Sequence, residues 1–195
     1  MHLGVTGPRS SWRGHAGRVL TVRSFASAEA SRDELDVIHR LLLAAFGDRF
    51  SAHDWDHTLG GQHLVVAEDD RVLSHAAVVE RVIDVAGRSL SVGYVEGVAT
   101  HPARQCEGLG SLVMSEVRGL LHRGFEMGTL STGRHAFYSR LGWVHWGGPT
   151  YVREGQETVR TLDEDDGIMV LRFGPSANID LNSAITCEAR PGDDW

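Results

Sequence analysis

The sequence predicts an α/β protein of the α+β type, with a mixed central sheet flanked by helices. Three strand-like runs between His63 and Thr100 follow one another with short turns, as in antiparallel hairpins. From Ser91 to Leu121, a strand-like run, a glycine-bearing turn and an apolar helical segment follow in succession. When another strand comes next, this order is typical of a crossover connection. The two patterns together predict a mixed sheet.

The chain begins with Gly, Pro, Ser, Arg and His residues that show no usable hydrophobic period. We therefore predict a flexible N-terminal extension over residues 1–18 and a single domain over residues 19–195. The alternating run Val19–Phe25 predicts the first strand.

Two helices are predicted next. Ser31 is a suitable N-cap for a helix that ends at Phe46, because apolar residues recur between them at helical spacing. Ser51 is placed to cap a short second helix over residues 52–59, and Gly60–Gly61 ends it.

Further strands and helices alternate in the rest of the chain. The predicted strands are His63–Glu68, Val72–Val85, Ser89–Thr100, Met127–Ser131, Trp143–Trp146 and Ile168–Phe173. The predicted helices are Gly108–His122 and Arg134–Leu141. The polar, acidic stretch Arg153–Asp166 is predicted to be a surface loop, and no element is assigned to the tail Ser176–Trp195.

Charge and composition exclude several classes of function. The formal net charge is −7 over 195 residues, which argues against nucleic acid as the main partner. Cys106 and Cys187 are far apart in sequence, so we predict free thiols in a reducing cytoplasm. No run approaches the ~18 apolar residues of a membrane span, and we expect no membrane partner.

The histidines do not predict a metal site. His53 and His57 stand four residues apart on the second helix, near Asp54 and Asp56, as a ligand pair would. No third ligand is evident in the sequence, so a solvated helix face is the preferred interpretation.

The motif Gln105-x-x-Gly108-x-Gly110 stands between a strand and a helix. Glycines let the backbone approach a phosphate, and the start of the helix offers N–H groups and a positive dipole end. The motif therefore predicts an anion-binding turn, although a Gly-x-Gly pair alone is weak evidence.

In that setting the motif resembles the acetyl-CoA signature of the Gcn5-related N-acetyltransferase superfamily. Further blocks resemble the aminoglycoside 2′-N-acetyltransferases of the mycobacterial type, and they occur in the same order over about residues 45–195. These blocks are AFGDRFSAHDWDHTLGGQH, GYVEGVA, YSRLGW, WGGPT, DEDDG and the terminal GDDW.

The resemblance implies acetyl-CoA as cosubstrate and coenzyme A as product. The pantetheine arm would bond to the backbone of Val98, Ala99 and Thr100. The pyrophosphate would lie on a turn made by Gln105, Cys106, Glu107, Gly108, Leu109 and Gly110. The Glu107 carboxylate would repel the pyrophosphate unless it points to solvent.

The resemblance also implies two catalytic residues. Glu96 would be the base that takes a proton from the amine, directly or through water. The backbone N–H near Val98 would polarise the thioester carbonyl. Tyr138 would be the acid that protonates the leaving thiolate, because a phenol with a pKa near ~10 keeps its proton at neutral pH.

Acidic residues are expected to recognise a cationic substrate through charge-assisted hydrogen bonds. The substrate-binding residues implied by the resemblance are Asp48, Asp54, Glu96, Gly97, Ser131, Asp165, Asp193 and Trp195. Arg49 stands where the family pattern has an acid, so either Asp48, one residue earlier, takes that place or the substrate preference of the pocket has changed.

The resemblance as a whole implies direct transfer of acetyl, in a ternary complex, to the 2′-amino group of aminoglycoside antibiotics. Resistance to these cationic small molecules would follow, and resembling enzymes form homodimers. An alternative is an N-acetyltransferase acting on another small amine or a protein N-terminus. A second alternative, from a different class, is an acetyl-CoA-binding module without turnover.

Overall fold

The computed structural model describes residues 10–13 and 19–195, and the chain divides into two compact units. Unit 1 comprises residues 10–13 and 19–79 together with Glu96–Val117, and unit 2 comprises Glu80–Val95 and Arg118–Trp195. Each unit is therefore built from separate stretches of the chain. Within the described ranges, no helix is long and apolar enough to cross a membrane.

Unit 1 contains an antiparallel set of strands. Its strands are β1 (Ser10–Arg13), β2 (Val19–Ala26), β3 (Gln62–Glu68), the first part of β4 (Arg71–Val85) and the last part of β5 (Arg88–Thr100). Its helices are α1 (Arg32–Phe46), α2 (Ala52–Thr58) and the first part of α3 (Leu109–Gly124). Strands β1 to β4 pair in sequence order, with Val22 opposite Val66 and Leu64 opposite Ala76.

The first two helices of unit 1 begin at the predicted caps. The Ser31 hydroxyl accepts the Glu34 amide, and the Glu34 carboxylate accepts the Ser31 amide in return. Ser51 and Asp54 form the same reciprocal arrangement at α2. Each pair satisfies two amides that the helix itself leaves unpaired. A core cluster of Phe25, Ile38, Leu42, Val65 and Ala99 then packs α1 against the strands.

Unit 2 contains both parallel and antiparallel pairs. Its further strands are β6 (Met127–Ser131), β7 (Val144–His145), β8 (Thr150–Glu154), β9 (Glu157–Arg160), β10 (Ile168–Arg172) and β11 (Ile185–Glu188), and its short helix is α4 (His135–Ser139). The first part of β5 runs parallel to β6, and β10 lies antiparallel to β6 and β7. Strand β11 pairs antiparallel with the end of β4 and parallel with β8. The predicted mixed pairing is confirmed.

The structure corrects the prediction at two places. The stretch Arg153–Asp166 is not simply a surface loop, because β8 and β9 form a hairpin that turns at Gly155, where φ is +63°. The predicted tail without elements contains β11. Within residues 1–18, the described part is β1, which pairs with β2, and the rest of the predicted flexible extension lies outside the described residues. The single domain over residues 19–195 stays a prediction.

Two adjacent glycines hold the C-terminal segment of unit 2. The amides of Gly147 and Gly148 both donate to the Leu181 carbonyl at 2.9 Å, and the indole N–H of Trp146 donates to the Ser183 carbonyl at 3.0 Å. A Cβ at position 148 would lie 2.7 Å from the carbonyl carbons of Asn182 and Ser183. The two glycines of the WGGPT block are therefore explained by the close approach of the backbone of residues 181–183. This backbone then continues into β11.

Gly148→Ala should lower the free energy of unfolding by about 2–3 kcal/mol, because the added methyl group meets backbone that cannot move cheaply. The matched control is Gly124→Ala at the exposed end of α3, where a Cβ would meet no described atom within 4 Å. That control should stay within about 1 kcal/mol of the unsubstituted protein. Urea unfolding measures both variants, and equal midpoints would contradict the close approach.

Candidate functional site

The predicted site residues are distributed over the two units. Unit 1 holds Asp48, Asp54, Glu96, Gly97, Val98, Ala99, Thr100, Gln105, Cys106, Glu107, Gly108, Leu109 and Gly110. Unit 2 holds Ser131, Tyr138, Asp165, Asp193 and Trp195. Within the described residues, no group of three or more His, Cys, Asp or Glu side chains is arranged to hold a metal ion.

The predicted anion-binding turn has the backbone that such a turn needs. Cys106 and Gly108 have left-handed φ values of +65° and +81°, and α3 begins immediately after them at Leu109. Leu109 is buried, whereas residues 105–108 are exposed. The first-turn amides of this 16-residue helix lack acceptors within the helix, so they are available to an anion.

Arg104 neutralises Glu107, the carboxylate that was expected to repel a pyrophosphate at this turn. Its guanidinium donates to Glu107 at 2.8 Å and to Glu68 at 2.9 Å. The arginine is thereby held between β3 and the turn, and Glu107 is part of an ion pair rather than an isolated charge beside the anion site. The sequence analysis missed Arg104, although its spacing of three residues from Glu107 was readable.

The strand that carries Glu96 leaves regular geometry at the next residue. Val95 and Ala99 are buried, and Glu96, Gly97 and Val98 between them are half-buried. Gly97 has φ +56°, and a Cβ there would lie 2.9 Å from the Thr58 methyl carbon. Only glycine combines this conformation with this contact.

A buried chain of hydrogen bonds ends on the Gly97 carbonyl. His75 Nδ1 lies 2.8 Å from that oxygen, His63 Nδ1 lies 2.9 Å from His75 Nε2, and Ser27 Oγ lies 2.8 Å from His63 Nε2. Both imidazoles are fully buried. They are diagonal neighbours on β3 and β4, since His63 pairs with Ala77 and His75 with Val65. The sequence analysis missed this pair, although alternation along two adjacent strands places both histidines on one face.

Burial keeps both imidazoles neutral. Loss of solvent lowers the pKa of His63 from 6.5 to about 4. The pKa of His75 is also lowered, by burial first and by the neighbouring His63 second.

The end of β5 is also held by Ser74, the residue before His75 on β4. Its hydroxyl donates to the Ala99 carbonyl at 2.8 Å and lies 3.0 Å from the Thr100 hydroxyl. The Gln105 side-chain amide donates to the Thr100 carbonyl at 3.5 Å. The backbone predicted to bind pantetheine is therefore fixed by side chains of β4 and of the turn.

The predicted acids of the helical region differ in their surroundings. Asp54 is half-buried, and one of its carboxylate oxygens accepts the Ser51 amide at 2.7 Å as part of the cap. Asp48 and Arg49 lie in the short 3₁₀ turn Gly47–Arg49, and both side chains are exposed. The structure thus presents an acid and a base side by side there.

Tyr138 lies on α4 in unit 2 and is 7% exposed. Its ring meets Phe137 and Trp143 edge-on, with centroids 4.9 and 6.2 Å away. Burial raises the pKa of its phenol, and Arg134 opposes the shift only weakly. The phenol therefore stays protonated at neutral pH.

Asp165 is engaged by its own unit. Both of its oxygens accept from Arg160, and Oδ1 also accepts the Thr150 amide at 3.0 Å and the Thr150 hydroxyl at 2.9 Å. These donors hold the pKa of the Asp165 carboxyl well below its usual range, with Arg160 as the main cause. Its charge is therefore compensated within the protein, so it is a structural ion pair at the base of the β8–β9 hairpin.

The adjacent Glu164 has the opposite environment. Burial raises the pKa of its carboxyl, and the nearby charges of Asp193, Asp163 and Asp194 raise it further, while a Ser131 hydrogen bond lowers it. A Cβ at position 167 would lie 2.8 Å from Ser131 Oγ and 3.6 Å from Glu164 Oε2, so all three residues meet. Glu164, which the sequence analysis missed within DEDDG, is an acid whose environment favours a cation.

Two arginines hold the C-terminal residues of unit 2. Arg81 donates to the Asp194 carbonyl at 2.6 Å, and Arg190 donates to the Asp193 carbonyl at 2.7 Å. Both guanidinium groups lie over the Tyr94 ring, at 5.0 and 5.3 Å from its centroid. Trp195 is 4% exposed, and its buried indole N–H finds no acceptor among the described residues. A ligand oxygen would satisfy that donor.

Residues 27–146 match the family described as acetyltransferase (GNAT) domain. An aminoglycoside 2′-N-acetyltransferase of Mycolicibacterium fortuitum is 35% identical over 184 residues, which cover 92% of this chain and 94% of that protein.

Solved structures share the fold at lower identity. A GNAT family N-acetyltransferase from Escherichia coli in complex with CoA has a TM-score of 0.60 and 18% identity, over 94% of this chain and 92% of the other. A GNAT family acetyltransferase from Brucella melitensis in complex with acetyl-CoA has a TM-score of 0.57 and 20% identity, over 82% and 92%. A GCN5-related N-acetyltransferase from Kribbella flavida has a TM-score of 0.54 and 24% identity, over 66% of this chain and 34% of that one. This chain thus spans about a third of the Kribbella protein, and the predicted fold class is confirmed.

The buried histidines should make stability depend on pH. Their pKa values are lower in the folded than in the unfolded chain, so protons bind preferentially on unfolding. The free energy of unfolding should therefore fall from pH ~6.5 towards pH ~4, by about 2 kcal/mol per histidine at pH ~5. Urea unfolding across this range is the measurement.

The variants separate the histidines from other groups. His63→Asn/His75→Asn should lack this slope, whereas His53→Gln on the exposed face of α2 should retain it. Parallel curves for the unsubstituted and double-Asn proteins would contradict the assignment.

Proposed function

The chain belongs to the GNAT acetyltransferase family, and on that premise we propose that it transfers acetyl from acetyl-CoA to the 2′-amino group of aminoglycosides. The observation that carries the proposal is the relationship to the Mycolicibacterium fortuitum enzyme, at 35% identity along nearly the whole of both chains. The residues of each unit supply the chemistry that such a transfer requires.

The cosubstrate would be bound mainly by backbone. Left-handed Cys106 and Gly108 and the start of α3 would direct amides at the pyrophosphate. Val98, Ala99 and Thr100 would bond the pantetheine arm. Arg104 supports this assignment, because it removes the local repulsion that Glu107 would otherwise cause.

The amine must lose a proton before it can attack, because an alkylammonium has no lone pair. Glu96 would take that proton, directly or through water. The amine nitrogen then forms a bond to the thioester carbonyl carbon, and the carbon–sulfur bond breaks. The Val98 N–H would stabilise the developing oxyanion.

Tyr138 would return a proton to the departing thiolate, so that coenzyme A leaves as a thiol. Burial keeps the phenol protonated at neutral pH, which is the state that a general acid needs, although the raised pKa also makes it a weaker acid towards the thiolate. No acyl-enzyme is required: Cys106 belongs to the proposed pyrophosphate turn, and Cys187 is buried with its pKa raised to about 11.

Acidic residues of each unit would bind the ammonium groups of a polycationic substrate. Asp48 and Asp54 are the proposed acids of unit 1, together with Glu96. In unit 2 we move the assignment from Asp165 to Glu164, since Arg160 already neutralises Asp165. Asp193 would add a second negative charge beside Glu164.

Neutral groups would bind the hydroxyls and ring oxygens of the sugar. The candidates are the Gly97 backbone, the exposed Ser131 hydroxyl and the buried indole N–H of Trp195. The Trp195 indole N–H has no acceptor among the described residues, so an oxygen of the substrate would satisfy it.

Acetylation would remove one positive charge and add bulk, which weakens the binding of an aminoglycoside to anionic RNA. Resistance to the antibiotic is therefore the proposed consequence. We place the reaction in the cytoplasm, where acetyl-CoA is available, and propose a homodimer, which sedimentation of the purified protein tests.

Incubation with acetyl-CoA and a 2′-amino aminoglycoside should give a singly acetylated product by mass spectrometry. Glu96→Gln should lower kcat by about 10²–10⁴-fold with little change in the KM for acetyl-CoA, because the base is lost while the cofactor backbone remains. Raising the pH should restore part of the activity, since the free amine becomes available without a base.

Two other outcomes are informative. Binding of acetyl-CoA without product from any amine would favour a binding module. Product from a different small amine or a protein N-terminus, but none from the aminoglycoside, would favour the alternative acceptor.

The two neighbouring acids of the DEDDG block should behave differently. Glu164→Gln should raise the aminoglycoside KM by about 10-fold with kcat nearly unchanged, because one charge-assisted contact is lost. Asp165→Asn should leave that KM unchanged and lower the free energy of unfolding, because it breaks the Arg160 pair. Steady-state kinetics and urea unfolding measure the two effects, and the reverse pattern would return the assignment to Asp165.

A further inference from the structure

The hydrogen-bond chain that ends on Gly97 has a fixed direction. A carbonyl oxygen only accepts, so His75 must carry its proton on Nδ1. The neutral ring then accepts at Nε2, which requires a proton on His63 Nδ1. His63 Nε2 in turn accepts from the Ser27 hydroxyl at 2.8 Å, in preference to the Gly61 carbonyl, which lies 3.2 Å from the same hydroxyl. One acceptor at the end of the chain therefore sets the tautomer of both rings.

This chain acts on one peptide plane. The Gly97 carbonyl and the Val98 N–H belong to the same trans peptide, so they point in opposite directions. His75 is fully buried, which means that the carbonyl faces the interior of unit 1 and the Val98 N–H faces away from His75. A donor on the carbonyl also polarises the peptide, which makes its N–H a stronger donor.

The location argues that the chain does more than fill the core. Two buried imidazoles are a costly way to fill a core whose neighbouring β3 positions are aliphatic, as at Leu64 and Val66. Their hydrogen bonds converge on the residue where β5 adopts a left-handed φ, next to Glu96. Thr58 also packs against this residue, with its methyl carbon 2.9 Å from the Gly97 Cβ position and His75 Cε1 3.5 Å from the same position.

We propose that Ser27, His63 and His75 are positioning residues that fix the Gly97–Val98 peptide, so that the Val98 N–H polarises the thioester carbonyl of bound acetyl-CoA. The inference rests on the proposed function only in taking a thioester as the bound group, and it is independent of which amine is the acceptor. Gly97 was expected to bind the substrate; its carbonyl instead accepts the His75 hydrogen bond, which fixes the peptide.

The test is the infrared carbonyl stretch of bound [1-¹³C]acetyl-CoA, which reports polarisation without turnover. In the unsubstituted protein the stretch should move to lower frequency on binding. His75→Leu, which fills the volume but has no donor, should lose most of this shift. Its kcat should fall by about 10–100-fold with the acetyl-CoA KM changed much less. His75→Asn, whose amide can donate from a position close to that of Nδ1, should recover most of both losses.

Val66→Ala is the matched control, because it weakens the same buried sheet without touching the chain. It should lower stability and leave the carbonyl stretch unchanged. The proposal would be overturned if the carbonyl stretching frequency of bound acetyl-CoA were the same in His75→Leu and in the unsubstituted protein. It would also be overturned if His75→Leu and His75→Asn lost the frequency shift and kcat to the same extent.

A second measurement covers the case in which His75→Leu does not fold. Nitrogen-15 NMR of the unsubstituted protein should find the Nδ1–H tautomer at both His63 and His75, and an Nε2–H tautomer at His75 would refute the chain. If the carbonyl stretch shifts in a way that depends on His75, but the protein acetylates no aminoglycoside, only the proposed substrate would be refuted. Aminoglycoside turnover with a stretch insensitive to His75 would sink this inference alone.

Discussion

The hydrogen bond from the buried His75 to the Gly97 carbonyl is the constraint on which the candidate chemistry of unit 1 depends. It holds Gly97 in a left-handed conformation within β5. It thereby sets the direction of the Val98 N–H and the position of Glu96, the residue just before the irregular backbone. Ser74, on the same strand as His75, secures the Ala99 carbonyl two residues further along β5. The edge of β5 is thus preorganised by β4, and preorganised donors stabilise developing charge without reorganising during the reaction.

In unit 2 the main constraint is which of the acidic side chains have their negative charge compensated by an arginine. Arg160 forms an ion pair with Asp165 and compensates its charge. Arg81 and Arg190 donate hydrogen bonds to the backbone carbonyls of Asp194 and Asp193. Glu164 is left among other acids with its pKa raised, mainly by burial. Such a carboxylate gains more from an incoming ammonium group than a solvated one does, because the ligand removes both repulsion and the cost of burial. A polyamine with hydroxyl groups is the chemistry that suits this arrangement.

Local sequence signals were sufficient for features that local physics decides. The Ser31 and Ser51 caps and the glycine turn before α3 were all predictable, because each depends on a few adjacent residues. The β8–β9 hairpin was missed, because its outer strand is exposed and polar and therefore lacks alternation. The choice between Glu164 and Asp165 could not be made from sequence, since it depends on which carboxylate Arg160 reaches. The histidine chain needs the register of β3 on β4, which only the folded chain supplies.

The central claim is transfer of acetyl to a 2′-amine, and regiochemistry tests it most directly. Two aminoglycosides that differ in carrying an amino or a hydroxyl group at the 2′ position should be compared, with the product mapped by two-dimensional NMR. The account predicts a single acetamide at N2′ in the first compound and no product from the second. Acetylation of the 2′-hydroxy compound at another amine, at a comparable rate, would contradict it.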